Sequence, residues 1–276
     1  MTDITSIQNS QIKHVALLQQ KSSERRKSGL FVVEGRRELG HCLAAGYEID
    51  SIYVLDSQYD ELFSGKDSNA SVDADGNVSL GNIYNVRVNT VTQQVYEKIA
   101  YRGSTEGVVA VVKAKQHTLA DLRLKENPLV VVLEGVEKPG NLGAILRTAD
   151  AAGVDAVLVC DPQTDLYNPN LIRSAIGAIF TVPVATCSSE ECIEYLKSQN
   201  IQILTAQLQD SNLYYDQNMT KGTAIVMGTE STGLTEAWRK AADAHIRIPM
   251  LGKLDSLNVS VSTAILVYEA IRQRNA

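Results

Sequence analysis

The chain has 276 residues, 44% apolar and 21% charged, with a net charge of −6. This is the profile of a globular protein of one large domain or two ordinary ones. No apolar run nears the roughly 18 residues that cross a bilayer, and the polar Met1–Ser10 lacks the layout of a secretory leader, so a cytoplasmic protein without a membrane partner is expected.

Residues 1–112 read as a small α/β domain. A helix is expected over Lys13–Lys21, a strand over Leu30–Val33, and a helix over Arg37–Ala45 stopped by Gly46. Strands follow at Ile49–Leu55 and Gly107–Val112. Lys13, Lys21, Arg25, Arg26, Lys27, Arg36 and Arg37 gather near the start of this domain. Such a run is either a solvated helix face or a phosphate-binding one, although the overall negative charge argues against indiscriminate nucleic-acid binding. The stretch Ser64–Asn82 is rich in Gly, Ser, Asn and Asp and reads as an exposed loop or hairpin. Its Asp73-Ala74-Asp75-Gly76 fails as a calcium loop, because the glycine is misplaced and no glutamate closes it.

Residues 113–128 are polar and read as a linker. Residues 129–276 then alternate apolar strands (Leu129–Leu133, Ala156–Cys160, Val182–Thr186, Ile201–Thr205, Thr223–Met227, His245–Ile248) with helices (Ala144–Ala152, Glu190–Asn200, Thr235–Ala242, Val259–Arg274). Near-continuous apolar strands between helices predict a parallel sheet covered on both faces. Ligands of such sheets bind outside the strand C-terminal ends.

Three loops fall at those ends. The first, Glu134 to Gly143, spaces Gly135 and Gly140 as a P-loop does, but Asn141-Leu142 replaces the required Lys-Ser/Thr. Arg147 follows one turn into the expected helix, as a surface arginine or as a fork for phosphate or ribose. The second, Gly228 to Leu234, has the spacing GxxSxG rather than the GxSxG of a nucleophile elbow. Its Glu230 suits the positive end of a helix or a site. The third runs from Ile248 through Gly252 to Ser262, where Ser256, Asn258, Ser260 and Ser262 alternate with Leu257, Val259 and Val261. Ser256 and Asn258 suit helix caps, while the alternation suits a pocket wall. Cys42, Cys160, Cys187 and Cys192 form no CxxC pair and the four histidines are scattered. Structural thiols and no bound metal are expected.

Taken together and in order, Asn141-x-Gly143-x-x-x-Arg147, Gly228-x-Glu230-x-x-Gly233-Leu234 and Ile248-Pro249-Met250-x-Gly252 with Ser256-Leu257-Asn258-Val259-Ser260-Val261 resemble the three motifs of the SpoU (TrmH) branch of the SPOUT RNA methyltransferases. Ser262 stands where relatives often have alanine. More loosely, Asn9, Lys13 and Phe31-Val32-Val33-Glu34-Gly35-Arg36 resemble the ribosomal-protein-like RNA-binding domain often fused to that family.

The resemblance implies a parallel α/β domain tied in a deep trefoil knot, a homodimer, S-adenosylmethionine as cofactor, and methylation of a ribose 2′-hydroxyl. It implies structured RNA as the substrate, ribosomal rather than transfer RNA. It implies catalytic roles for Arg147, Asn141, Glu230, Ser256 and Asn258, with Asn141 orienting Arg147 or binding substrate. Cofactor contacts are implied for Thr205, Ala206, Gln207, Met227, Gly228, Ile248, Leu257, Asn258 and Ser260, and RNA contacts for Lys13, Arg25, Arg26 and Arg36. Two other classes compete. A non-catalytic RNA-binding or ribosome-assembly factor would be expected to lack Asn141 and Arg147. An NAD-dependent oxidoreductase would be expected to carry GxGxxG, which is absent.

Overall fold

The computed structural model describes residues 2–63, 71–72, 78–79, 86–101, 106–229 and 231–276. These fall into two compact units, 1–115 with 165–181, and 116–164 with 182–276.

The first unit begins with β1 (Thr2–Ile4), α1 (Ser10–Gln20), α2 (Ser22–Ser28), β2 (Leu30–Glu34), α3 (Arg36–Ala44) and β3 (Ile49–Leu55). It continues with α4 (Tyr59–Phe63), the short pair β4 (Ser71–Val72) and β5 (Val78–Ser79), β6 (Arg87–Val91), α5 (Gln93–Ile99) and β7 (Val108–Lys113). Asn9 starts α1 by accepting a hydrogen bond from Gln11 N at 2.8 Å, and Ile12, Val15 and Leu18 form its buried stripe. Gly29, at φ +67°, ends α2 in the left-handed conformation that a Cβ disfavours. The basic run from Arg25 is therefore a helix of its own, distinct from α1. The sheet order is β1-β6-β3-β7-β2, with β7 antiparallel to both neighbours. Flanked on both sides, β7 is buried from Val108 to Val112, which accounts for its β-branched composition. Of the stretch expected to be an exposed loop or hairpin, β4 and β5 pair antiparallel, while Asp73–Gly76 lies outside the described residues.

The remaining elements are β8 (Leu129–Glu134), α6 (Pro139–Ala152), β9 (Ala156–Cys160), α7 (Pro169–Ser174), α8 (Ala178–Thr181), β10 (Val184–Cys187) and α9 (Ser189–Ser198). They end with β11 (Gln202–Ala206), β12 (Asn212–Leu213), β13 (Thr223–Met227), α10 (Glu236–Ala241), β14 (Ala244–Arg247) and α11 (Val259–Arg274). Helices α7 and α8 belong to the first unit; the others build the second. Its seven strands run in the order β10-β9-β8-β13-β11-β14-β12, every pair parallel. Every residue of β8, β9 and β13 is buried, each large apolar side chain contributing roughly 1.5–3 kcal/mol. At the strand N-terminal ends, Arg274 donates to the carbonyls of Met219, Asn127, Pro128 and Lys221 at 2.6–3.2 Å and so gathers the segments that enter β8 and β13. No described helix is long and apolar enough to cross a membrane.

Helix α6 begins five residues earlier than expected. Pro139 occupies its first turn, where a missing N–H costs nothing and the fixed φ is already helical. Asn141 thus lies in the first turn of a helix rather than in a loop, and Arg147 lies two turns in.

Candidate functional site

Parallel strands place their C-terminal ends on one edge, so the loops after β8, β11, β13 and β14 converge there. The base of the first loop is fixed by a buried carboxylate. Glu134 accepts from Thr235 N (2.8 Å) and Thr235 Oγ1 (2.7 Å) and lies 3.2 Å from Ser189 Oγ. Ser189 Oγ in turn contacts Asp161 at 2.6 Å and accepts from Trp238 Nε1 at 3.1 Å. A single side chain therefore ties the end of β8 to the residues that start α9 and α10. Sequence alone gave no reason to separate Glu134 from the loop that follows it.

The second loop is pinched shut. Thr229 and Gly233 exchange backbone hydrogen bonds of 3.3 and 3.1 Å, and Thr229 Oγ1 accepts from Thr232 N at 3.0 Å. That fold-back brings the Gly233 carbonyl against Gly228. A Cβ on Gly228 would overlap the Gly233 backbone and sit 2.6 Å from Leu234 N, so glycine is required there.

Around these loops lies a cavity of about 690 Å³, lined among others by Gln207, Met227, Gly228, Arg239, Ile248 and Leu257. Its size suits a small-molecule ligand. Two of its polar atoms lack partners among the described residues: Gln207 Oε1, a buried acceptor, and Arg239 Nε, a buried donor. Buried polar atoms are seldom left unpaired, and these two lie shielded from solvent, behind the wall to which their side chains belong. Arg239 and Arg247 are cavity residues that carried no sequence signal; Arg247 merely precedes the third motif, and Arg239 sits on a short polar helix.

Most of the expected cofactor residues are brought together. Ala206, Gln207, Met227, Gly228, Ile248, Leu257 and Asn258 line the cavity, as does Ser256. Two are not. Thr205 is fully buried, with its hydroxyl 2.6 Å from His245 Nδ1, because a side chain within β11 faces the neighbouring strand rather than the strand end. Ser260 donates to Asn258 Oδ1 at 2.6 Å and serves the helix cap. The serine alternation marks a helix start and not an extended wall: Asn258 is the N-cap of α11, accepting from Ser260 N at 3.0 Å, and Ser262, one turn in, lines the cavity.

Asn258 Nδ2 also donates to Asn141 Oδ1 at 3.2 Å, joining the first and third motifs. Within one chain Asn141 and Arg147 do not face each other. Six residues apart on a helix, the two point about 120° away from each other. Arg147 is exposed, absent from the cavity wall, and without a hydrogen bond or ion pair to a described residue. Glu230 lies outside the described residues.

In the first unit the expected RNA contacts divide. Lys13 and Arg26 are exposed. Arg25 is not a surface cation: it is 5% exposed, pairs with Asp165 at 2.6 Å and donates to Leu18 O. A guanidinium so buried is closed to a phosphate in solution. Arg36 is half-buried and bonded to Glu61 at 2.6 Å and to Gln58 and Glu106. Its pKa is raised chiefly by the hydrogen bond to Glu61.

Residues 128–268 match the profile of the SpoU rRNA Methylase family, and residues 9–110 match the MRM3-like substrate binding domain. The chain is similar to the 23S rRNA (guanosine-2'-O-)-methyltransferase RlmB of Vibrio vulnificus, with 37% identity over 197 residues, 69% of this chain and 80% of that protein. It is also similar to the 23S rRNA (guanosine(2553)-2'-O)-methyltransferase RlmP of Bacillus subtilis, with 27% identity covering 97% of this chain and 98% of that one. Among solved structures, the AdoMet-bound rRNA methyltransferase from Sinorhizobium meliloti superimposes with a TM-score of 0.85 at 27% identity, covering 98% and 97% of the two chains. With its three motifs gathered at one strand edge and its larger unit matched across 128–268, the chain belongs to the SpoU rRNA methylase family.

Proposed function

We propose that this protein transfers a methyl group from S-adenosylmethionine to a ribose 2′-hydroxyl of ribosomal RNA. The observation that carries the reading is the cavity beyond β11, β13 and β14, whose wall holds the second and third motifs and reaches the first through the Asn258–Asn141 bond. The cofactor fits what the wall offers. The lining combines the Arg239 and Arg247 side chains, cations suited to a carboxylate, with the Gln207 amide and apolar Met227, Ile248 and Leu257, and Gly228 leaves room that a Cβ would fill. The solved relative from Sinorhizobium meliloti is described with AdoMet bound, and the curated relatives are named for 23S rRNA, which favours ribosomal over transfer RNA. A cytoplasmic location goes with that substrate.

When bound, S-adenosylmethionine supplies an electrophilic methyl group, and the residues of this chain supply position and charge. Gln207, Met227, Gly228, Ile248, Leu257 and Asn258 hold the cofactor, and Ser256 and Asn258 fix the third loop. Asn141 sets the first motif against the third. The Arg147 guanidinium stabilises the negative charge that develops on the attacking ribose oxygen, together with its neighbouring phosphate. Because Arg147 faces away from the cavity of its own subunit, it serves the cavity of a second copy in a homodimer. Exposed Leu251, Leu254, Leu257, Val261 and Tyr268 give that dimer an apolar face. The deep knot of the third segment and a role for Glu230 in holding the arrangement belong to the same reading. Exposed Lys13 and Arg26 contact RNA phosphates.

The test is methylation of ribosomal RNA by the purified protein, with the modified ribose mapped in RNA from cells with and without the gene. Arg147→Ala is expected to lower turnover about 100- to 1000-fold, at the scale of losing a charge-stabilising donor, while calorimetric affinity for S-adenosylmethionine changes less than about threefold. Full turnover in that variant would remove Arg147 from the mechanism. Incorporation into transfer RNA alone would replace the substrate, and binding of NAD in place of S-adenosylmethionine would overturn the reading.

A further inference from the structure

Three of the four cysteines meet at one point, although 27 residues of sequence separate the first two. Cys160 ends β9 and Cys187 ends β10, and the two are direct partners in the parallel register. Their sulfurs lie 3.9 Å apart. Cys192, in the second turn of α9, brings a third sulfur, and all three lie within 4.8 Å of one another. Cys160 and Cys192 are fully buried, while Cys187 is half-buried and opens the group to solvent.

A hydrophobic core explains one buried thiol well but not three that converge sulfur to sulfur. A thiol is a weak donor and a weak acceptor, so the contacts among them contribute little to folding. The spacing instead matches a shared ligand. Three sulfurs bonded to one ion at about 2.3 Å lie roughly 3.8–4.0 Å from each other in tetrahedral or trigonal geometry. The backbone holding them is rigid, with two strand ends in register and a helix whose start is closed by the Ser188–Glu191 capping box. The geometry points to a site for one thiophilic d¹⁰ metal ion, held by the thiolates of Cys160, Cys187 and Cys192. Soft thiolates select zinc(II) and copper(I). Copper(I) is complete with three sulfurs, and zinc(II) would take a fourth, solvent-derived ligand through the open side at Cys187. Binding displaces the thiol protons, up to three per ion.

This reverses the expectation from spacing, which looked for CxxC and found none. The site also has a structural address. Ser188 and Ser189 follow Cys187 directly, and Ser189 Oγ belongs to the Glu134–Thr235 network that anchors the first-motif loop and the start of α10. An ion here fastens the ends of β9 and β10 to α9, beneath that network.

The experiment titrates the full-length, fully reduced protein with zinc(II) and, separately, under anaerobic conditions, with copper(I), against a chromophoric chelator. Wild type is expected to take up one equivalent per chain of at least one ion. Thiolate-to-metal charge-transfer absorption, proton release and a higher melting temperature should accompany the uptake. Cys187→Ser, at the least buried of the three positions, should fold normally and bind at least 100-fold more weakly, whereas Cys42→Ala, in the other unit, should bind as wild type does. Failure of wild type to take up either ion would overturn the proposal. So would undiminished uptake by Cys187→Ser, or finding Cys160 and Cys187 joined as a disulfide in the protein as isolated from cells.

Discussion

Arg25 shows how far a residue's role depends on its surroundings rather than its type. It sits in a run of cations that reads equally well as a phosphate-binding face, yet its side chain is 4% exposed and that of Asp165 is 13% exposed. Breaking a buried pair from one side strands the other charge, at a cost of roughly 3–5 kcal/mol. Arg25→Ala is therefore expected to lower the free energy of unfolding, read from a urea titration, by an amount in that range, and replacing Arg25 and Asp165 together with Met and Leu should recover most of the loss. Arg26→Ala, one residue on and exposed, should leave the midpoint unchanged while weakening RNA binding in a salt-dependent way. A loss of RNA affinity in the stable double variant equal to that of Arg26→Ala would restore Arg25 as a phosphate contact.

At the scale of elements, α11 carries the clearest division of labour. Its first residues form the site and its last arginine gathers the strand N-terminal ends. Asn258 closes the helix and joins Asn141, so Asn258→Ala should cost about 1 kcal/mol as a lost cap and more than tenfold in S-adenosylmethionine affinity. Asn258→Asp keeps the cap acceptor but loses the donor to Asn141. It should retain stability without recovering affinity, a split that a thermal melt and calorimetry would separate. Much at this scale was legible in sequence. The strands at Ala156–Cys160 and Thr223–Met227 and the final helix at Val259–Arg274 stand where their apolar runs place them, because buried parallel strands admit few polar residues. The second motif was legible as a loop after such a strand, whereas Asn141 and the serines from Ser260 stand in helices. What escaped was set by distant contacts. Thr205 faces a histidine forty residues away, Arg25 a carboxylate 140 residues away, and Gln207 and Arg239 come to line one cavity although 32 positions apart. Elements too short or polar to show a period, such as α2 and α7, were missed for want of a repeat.

For the whole molecule, the exposed apolar residues of the third segment carry the dimer reading. Leu254 is 81% exposed and Leu251 96%. Burying each is worth roughly 1.5–3 kcal/mol, and a two-fold interface counts every substitution twice. Leu254→Asp should weaken association by about 100-fold or more. Sedimentation at micromolar concentration is expected to show a dimer for wild type and a monomer for the variant, with methylation lost because no second subunit presents Arg147. An active monomer would refute the shared site.

The first unit is not a single stretch of chain. Asp165 supplies the partner of Arg25, and Tyr167 stacks on Phe31 at 4.0 Å with Tyr47 and Phe180 beside them. Recombination at one point near residue 115 would transplant a substrate-recognition module stripped of half its aromatic cluster, and would leave the recipient with an orphaned insertion between β9 and β10. Grafting a new specificity onto this scaffold therefore requires two coordinated exchanges, and descent by simple module swapping is open only to ancestors in which both pieces travelled together.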